Sequence, residues 1–422
     1  MMRRVLIALA VALAVVGGAA GAQHAEVQAT LETEPFFDND VDDSDADDPA
    51  IWVHPSNTAR SIVVGTLKNG GLAVFDLAGT TIQRIDYADD DARQNNVDLL
   101  YGVRLGGLTR DLAVVTDRGL DHLRVFAIDQ SGSTAAEPLT EVTEASPPHV
   151  FTGDDDISAY GIAAWKAPDG GAYVAISQRH QTAVVLVRLV ARSGGTVGFE
   201  RVDSLTLPST FSVQNRTWSP CTEEEGELPQ VEGMVFDVRR GFLFAAQEDV
   251  GIWRIPVGAH GFAAPKLVDR VREFGQAYTR TFDPEEEEFV CTIDPSSPSA
   301  GSDYLAADAE GLTIYPLNGN GRGYLLASSQ GSSTFVVYDL ASLQPLDTFV
   351  IGDGTTDAVD ESDGAMVVAV PLGATFAHGL LVTHDGDDGP NDDATNFKFT
   401  RWEDVAGPLG LTIDTSTGDP RG

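Results

Sequence analysis

Short apolar runs rich in β-branched and aromatic residues recur along almost the whole chain, closed by Gly, Asp or Asn, with almost no amphipathic helix between them. Such runs occupy 61–64, 72–76, 112–116, 123–128, 172–177 and 183–189, then 233–238, 242–247, 251–255, 311–315, 323–328, 334–338, 366–370 and 379–383. Several share a rhythm in which an acidic residue and Gly lead into a strand, a Gly turn follows, and the next strand ends in Ala or Ser. Glu232-Gly233-Met234 with Phe242-Leu243-Phe244-Ala245-Ala246 matches Glu310-Gly311-Leu312 with Tyr324-Leu325-Leu326-Ala327-Ser328. A unit recurring at about 60 to 80 residues is longer than the common propeller repeats, and radial repetition of antiparallel sheets around a channel is the architecture it predicts. A pair of packed β-sheets is the alternative.

A chain of 422 residues conventionally divides into two or three domains, but no Pro- or Ser-rich linker splits this one. A single domain over 23–422 is therefore expected. Residues 1–22 read as an export signal: Arg3 and Arg4, an apolar stretch over 5–16, and small residues ending in Ala20-Gly21-Ala22. Cleavage after Ala22 is preferred, with Ala25 as the second choice. The stretch is short for a membrane span, and no Cys follows it to carry a lipid. The expected location is periplasmic or extracellular. Cys221 and Cys291 are the only cysteines, and export permits a disulfide that would tie together two long connections, 211–230 and 274–303.

Charge sets the class of ligand. With 64 acidic against 27 basic residues the formal net charge is -37, which excludes association with nucleic acid or an anionic membrane surface. Carboxylates crowd the segment from Asp38 to Asp48, and a fold that gathers several of them needs a hard, oxygen-seeking cation such as calcium. A solvated acidic loop is the alternative for most of this run. Asp47 and Asp48 differ, because Pro49 and the apolar Ile51, Trp52 and Val53 anchor the backbone that carries them.

An ordered series of segments resembles the β-propeller phytases, the calcium-dependent alkaline 3-phytase family. It runs from Glu32-Thr33-Glu34-Pro35 through Asp47-Asp48-Pro49-Ala50-Ile51-Trp52, Asn95-Asn96-Val97-Asp98, Tyr160-Gly161, Glu232-Gly233-Met234 and Glu248-Asp249 with Ile252-Trp253. Asp308-Ala309-Glu310-Gly311-Leu312-Thr313-Ile314-Tyr315, Ser328-Ser329-Gln330-Gly331 and Asn396-Phe397-Lys398 with Trp402 complete it. The resemblance implies an all-β fold, a six-bladed β-propeller of four-stranded antiparallel blades. It also implies an enzyme acting on calcium-phytate (myo-inositol hexakisphosphate) by attack of a calcium-bound water, with several Ca2+ ions, structural and catalytic; a monomer is expected separately.

By the same resemblance Asp47, Tyr160, Glu232, Glu248, Asp308 and Glu310 hold the catalytic calcium cluster, with Gln330 at its margin. Glu32, Asp48, the carbonyl of Val97, Asp98, Asp357, Asp385 and Asp388 bind structural calcium. Lys68, Arg118 and Arg179, together with Gln330, meet the substrate phosphates. Asn69 departs from the pattern, standing where the family often has a second Lys. Glu232 and Glu310 each precede Gly, which is expected to let the backbone turn sharply at the strand start.

Other chemistries lack their motifs. Arg179-His180-Gln181-Thr182 resembles the start of a histidine acid phosphatase motif but has neither its Gly nor its second Arg, and Gly319-Asn320-Gly321-Arg322-Gly323 leads into a strand, so it reads as a hairpin turn. There is no nucleophile-elbow Ser, His-Glu-x-x-His, paired-Cys zinc pattern or EF-hand loop. His54, His122, His260, His378 and His384 are scattered and read as structural or solvated. The alternatives to the enzyme are a non-catalytic, calcium-stabilised propeller that binds a ligand, and a propeller hydrolase of lactones or phosphotriesters working with one central ion.

Overall fold

The computed structural model describes residues 24–38, 43–87, 89, 91–222, 225–284, 288–319, 321–389, 394–416 and 420. The export signal, and Asp40 and Asp42 of the acidic run, lie outside them. The chain winds through six sheets in order. Blade 1 comprises Pro49–Trp52, Ile62–Thr66, Leu72–Phe75 and Thr81–Ile85, and blade 2 comprises Gln94–Leu105, Leu108–Asp117, His122–Ile128 and Leu139–Glu141. Blade 3 runs through Ala159–Lys166, Ala172–Gln178, Ala183–Ala191 and Val197–Thr206. In blade 4, Val231–Asp237, Phe242–Gln247 and Gly251–Gly258 are edged by the short strands Gly261–Phe262 and Lys266–Leu267.

The first strands of the blades touch one another in a closed ring, each meeting the next and the sixth meeting the first. That ring defines the central channel. The N-terminal segment closes it. Blade 6 contains Ala365–Val368, Leu380–Asp385 and Ala394–Arg401, and takes Leu31–Glu32 as its outer strand, pairing Leu31 with Phe399 and Glu32 with Lys398. Blade 5, with Ala309–Pro316, Gly323–Ser329, Thr334–Asp339 and Pro345–Gly352, gains Ala25–Gln28 as a parallel fifth strand, one more than the four expected.

Apolar side chains fill the spaces between neighbouring blades, so the core is a ring of interfaces. Trp52 is wholly buried between blades 1 and 2, where its indole N–H reaches Asp111 at 2.9 Å. Trp402, also wholly buried, stacks on Tyr315 of blade 5 at 4.1 Å and ties the end of blade 6 to it.

The two long connections carry hairpins of their own, Phe211–Val213 with Arg216–Trp218 and Tyr278–Asp283 with Glu288–Ile293. Cys221 and Cys291 are joined by a disulfide that staples the two connections together. A lone two-stranded hairpin is marginal in water, so the staple and the packing of Trp218 on Phe274, 4.6 Å between rings, hold them. Cys221→Ser is expected to lower the unfolding free energy by about 2–4 kcal/mol and to open both hairpins to protease before the blades. Labelling of the parent without reductant is expected to find no free thiol, and a labelled Cys221 or Cys291 would refute the pairing.

Candidate functional site

All six blades bring polar side chains to one end of the channel, where their first strands begin. In order around the ring these are Asp47 and Asp48, Asn95 and Asn96, Tyr160, Glu232, Asp308 with Glu310, and Asp363. Four of the strands are bulged at the same place, with register shifts between Gln94 and Val97, Ala159 and Ile162, Val231 and Met234, and Ala309 and Leu312. A bulge bends the strand and re-aims the residue within it, which here is Asn95, Tyr160, Glu232 or Glu310.

A glycine follows Tyr160, Glu232 and Glu310, and its role differs from the sharp turn expected after the two glutamates. Gly161, Gly233 and Gly311 are not left-handed. A Cβ at Gly161 would lie 2.0 Å from the Glu232 carbonyl oxygen, one at Gly233 2.0 Å from that of Glu310, and one at Gly311 2.7 Å from that of Asp363. At Gly364 it would lie 2.4 Å from a carboxylate oxygen of Asp48. The Glu-Gly step is therefore a ring contact, in which each blade's glycine lets the next blade's acidic residue come close.

Glu232, Glu248 and Glu310 each offer a carboxylate oxygen within 4.8 Å of the others. The Tyr160 hydroxyl donates to one oxygen of Glu232 at 2.6 Å and the Asn95 amide to the other at 2.8 Å. Glu248, on the turn between the second and third strands of blade 4, accepts from Gln230 at 3.1 Å. Burial raises Glu232 from its usual value to about 7, with Asp363 adding to the effect. Burial and then the neighbouring Glu232 push Glu248 and Glu310 well up, and burial does the same to Asp47 against the pull of Lys68. The Tyr160 phenol is raised by burial and by the three glutamates, so it stays a proton donor.

Asp47 is 1 % exposed and Glu310 6 %, yet both carboxylate oxygens of Asp47, Oε2 of Glu310 and Oε1 of Glu248 have no hydrogen-bond partner. Buried carboxylate oxygens without hydrogen-bond donors fit a hard divalent ion with oxygen ligands.

The turns between second and third strands divide the rim by charge. Blades 1 to 3 offer Lys68, Arg118 and Arg179 there, and blades 4 to 6 offer Glu248 with Asp249, Gln330, and, at the end of the second strand of blade 6, Asp385. Lys68 pairs with Asp45 at 2.6 Å and faces Asp363 at 3.6 Å; burial alone would lower it, but Asp363, Asp47 and Asp45 outweigh that and keep it charged. Arg118 donates to the Asn95 amide oxygen at 2.9 Å and stands over the Tyr160 ring. Among the described residues, Arg179 forms an ion pair only with the exposed Asp156, at 4.0 Å. Gln330 donates to Asp363 at 2.6 Å, on the acidic half of the rim.

The residues expected to bind structural calcium fall into two separate groups. Asp48 and Asp98 line a channel cavity of about 50 Å³ with Asn96 and Val97. Asp48 accepts from the Val97 N–H at 3.0 Å, so the contact observed between these two residues is through the nitrogen of Val97, the expected ligand being its carbonyl. Asp98 accepts from Leu99 at 2.6 Å and Ala164 at 2.7 Å, and burial raises it to about 6. Glu32, Asp357, Asp385 and Asp388 lie instead on blade 6 and its neighbouring loop, around the fully buried Lys398. The ammonium lies 3.0 Å from Asp385 and 3.5 Å from Asp388. Four carboxylates around one ammonium leave an acidic excess, Asp385 is raised by burial to about 7, and the side-chain amide oxygen of the buried Asn396 has no partner. The donors there also suit calcium, with Lys398 as a built-in second cation.

Asp363, Asn95, Gln230 and His384 were not among the expected site residues. Asp363-Gly364 repeats the acidic-Gly step of Glu232 and Glu310, and that repetition was the available signal. His384, read as structural or solvated, is buried against the site, where its Nδ1 accepts from the Asp363 N–H at 3.0 Å.

The sequence profile of the family described as Phytase matches residues 2–213 and 293–421, leaving the stapled connections and blade 4 between the two matched parts. A 3-phytase of Bacillus subtilis (strain 168) is 30% identical over 397 residues, which is 93% of this chain and 87% of the relative. Among solved structures, the calcium-binding protein regucalcin of Agrobacterium tumefaciens aligns over 90% of this chain and 97% of its own, at 8% identity and a TM-score of 0.46. The profile match over most of the chain, with the relative's near-complete coverage, establishes that this chain belongs to the phytase family.

Proposed function

We propose that this phytase is an exported, calcium-dependent enzyme that releases phosphate from calcium-phytate at the end of the channel where Asp47, Tyr160, Glu232, Glu248, Asp308 and Glu310 gather. The observation that carries the reading is the split rim: buried carboxylate oxygens without donors on one side, and Arg118 and Arg179 on the other. Calcium held by those carboxylates would neutralise phosphoryl oxygens and acidify a water molecule. The chain's own part is orientation. Arg118, Asn95, Glu232 and Tyr160 form one bonded series, so a phosphate drawn to Arg118 is registered against the carboxylate that Tyr160 holds. Lys68, Arg179 and Gln330 receive the other phosphates.

Glu32, Asp357, Asp385 and Asp388, and separately Asp48 and Asp98, would hold structural ions. The disulfide favours export. So does the start of the first strand at Ala25, because cleavage after Ala22 leaves that strand whole. No helix among the described residues is long and apolar enough to cross a membrane. A single domain over 23–422 acting as a monomer completes the proposal.

The test is phosphate release from phytate with added calcium, then with chelator, then with calcium restored. Release in calcium, loss by at least about tenfold in chelator and recovery on readdition are expected. No release in calcium by a folded, calcium-stabilised protein would favour the binding-module alternative.

A further inference from the structure

Arg93 lies between two of the rim cations, on the segment that leads into the first strand of blade 2. Its position is fixed by the backbone: its N–H donates to Asp117 at 3.0 Å, its carbonyl accepts from the Arg118 N–H at 2.8 Å, and the next residue, Gln94, donates to the Lys68 carbonyl at 3.0 Å. These bonds bring Lys68, Arg93 and Arg118 side by side. The guanidinium is steered by Asn69, whose amide oxygen accepts from Arg93 at 2.7 Å and whose amide nitrogen is held by Asp43 at 3.0 Å.

In a chain with 64 acidic residues, neither Arg93 nor Arg118 forms an ion pair with a described residue. Nε of Arg93 is buried and lacks an acceptor. Burial and then the repulsion of Arg118 lower the Arg93 pKa from its usual value, so this pair of cations is held together at a cost that an anion between them would remove. Guanidinium groups in fixed positions suit the oxygens of a phosphate.

We infer that Arg93, anchored by Asn69, is a further phosphate-binding residue, forming with Lys68 and Arg118 a three-cation rim that selects a ring carrying several phosphates. The inference rests on the reading of this end of the channel as the phytate site. A substrate with one phosphate engages the acidic half and one cation. A polyphosphorylated ring reaches the others.

The experiment combines binding and turnover in calcium buffer. Myo-inositol hexasulfate, which keeps six anionic groups without phosphate esters, is titrated calorimetrically, and KM and kcat are measured on calcium-phytate and on p-nitrophenyl phosphate. Arg93→Ala is expected to weaken hexasulfate binding and raise the phytate KM by about tenfold, with kcat and the monophosphate constants within about twofold of the parent. Arg93→Lys is expected to keep most of the affinity. Adding Asn69→Lys to Arg93→Ala is expected to restore it, which a merely structural role of Arg93 would not allow. Unchanged hexasulfate affinity in Arg93→Ala, or an equal loss on both substrates, would overturn the inference. A parent that binds hexasulfate but hydrolyses no phytate would refute the proposed function while the binding arm still decides on Arg93.

Discussion

Glu232→Gln and Glu310→Gln are each expected to reduce turnover on calcium-phytate by about two orders of magnitude or more while the propeller stays folded. Both changes keep shape and remove charge. Glu232 is held at one oxygen by the Tyr160 hydroxyl and at the other by the Asn95 amide, and a glutamine can keep one of these bonds while the tyrosine hydroxyl turns to accept the other. Glu310 has an oxygen without any partner, so its amide loses no hydrogen bond at that atom. Without metal, the variants lose a buried charge that repels Glu248 and Asp363, and their metal-free forms are expected to unfold no earlier than the parent's. Turnover is read with circular dichroism and calcium affinity on the same samples. Near-parent turnover in both variants would mean that the catalytic cluster lies elsewhere.

Most of the strands that could be read from the chain are buried on both faces, although Gln94–Leu105, Ala159–Lys166 and Ala394–Arg401, also largely buried, are not among the expected runs. The runs 242–247 and 323–328 match strands whose residues are almost all buried, Phe242–Gln247 and Gly323–Ser329. Outer strands were missed because half their residues face water and carry no apolar run. Thr81–Ile85 is half-buried throughout, and Val197–Thr206 mixes exposed charges with its few buried residues. Closure by Ala25–Gln28 and Leu31–Glu32 pairs segments from opposite ends of the chain, which no local pattern reports.

The site divides the same way. Glu232-Gly233 and Glu310-Gly311 announced themselves as a repeat, although the glycine serves ring contact and not a turn. Asp363-Gly364 carried the same signal in a blade whose preceding loop lacks the repeat's other marks. The structural-calcium residues read as one group because they share chemistry. They separate in space because Asp48 and Asp98 sit in the channel while Lys398 collects the rest on blade 6. Arg93 gave no sequence signal at all, since its role depends on which turns the ring sets beside it.

Calcium removal is expected to lower the melting temperature by about 10 °C or more at pH 8 and by much less at pH 5. The sign follows from the raised carboxyl groups. Without metal, burial holds Glu232 near 7 against a usual 4.5, Asp385 near 7 and Asp98 near 6 against a usual 3.8, with Glu248, Glu310, Asp47 and Asp48 also raised. Between pH 4 and pH 7 the metal-free folded form therefore keeps protons that the unfolded chain has lost. Its stability is fully present below about pH 4 and is lost as pH rises through about 7. Calcium replaces those protons, so the calcium-bound protein gains on the metal-free one as pH rises. Near pH 5 protons do much of the neutralising and chelator removes little. At pH 8 Glu232, Asp385 and Asp98 have lost those protons, and chelator removes the cation that would compensate them. Thermal melts with calcium and with chelator at both pH values measure the difference. Equal shifts at pH 5 and pH 8, or none at either, would show that these carboxylates are neutralised by something other than exchange between protons and calcium.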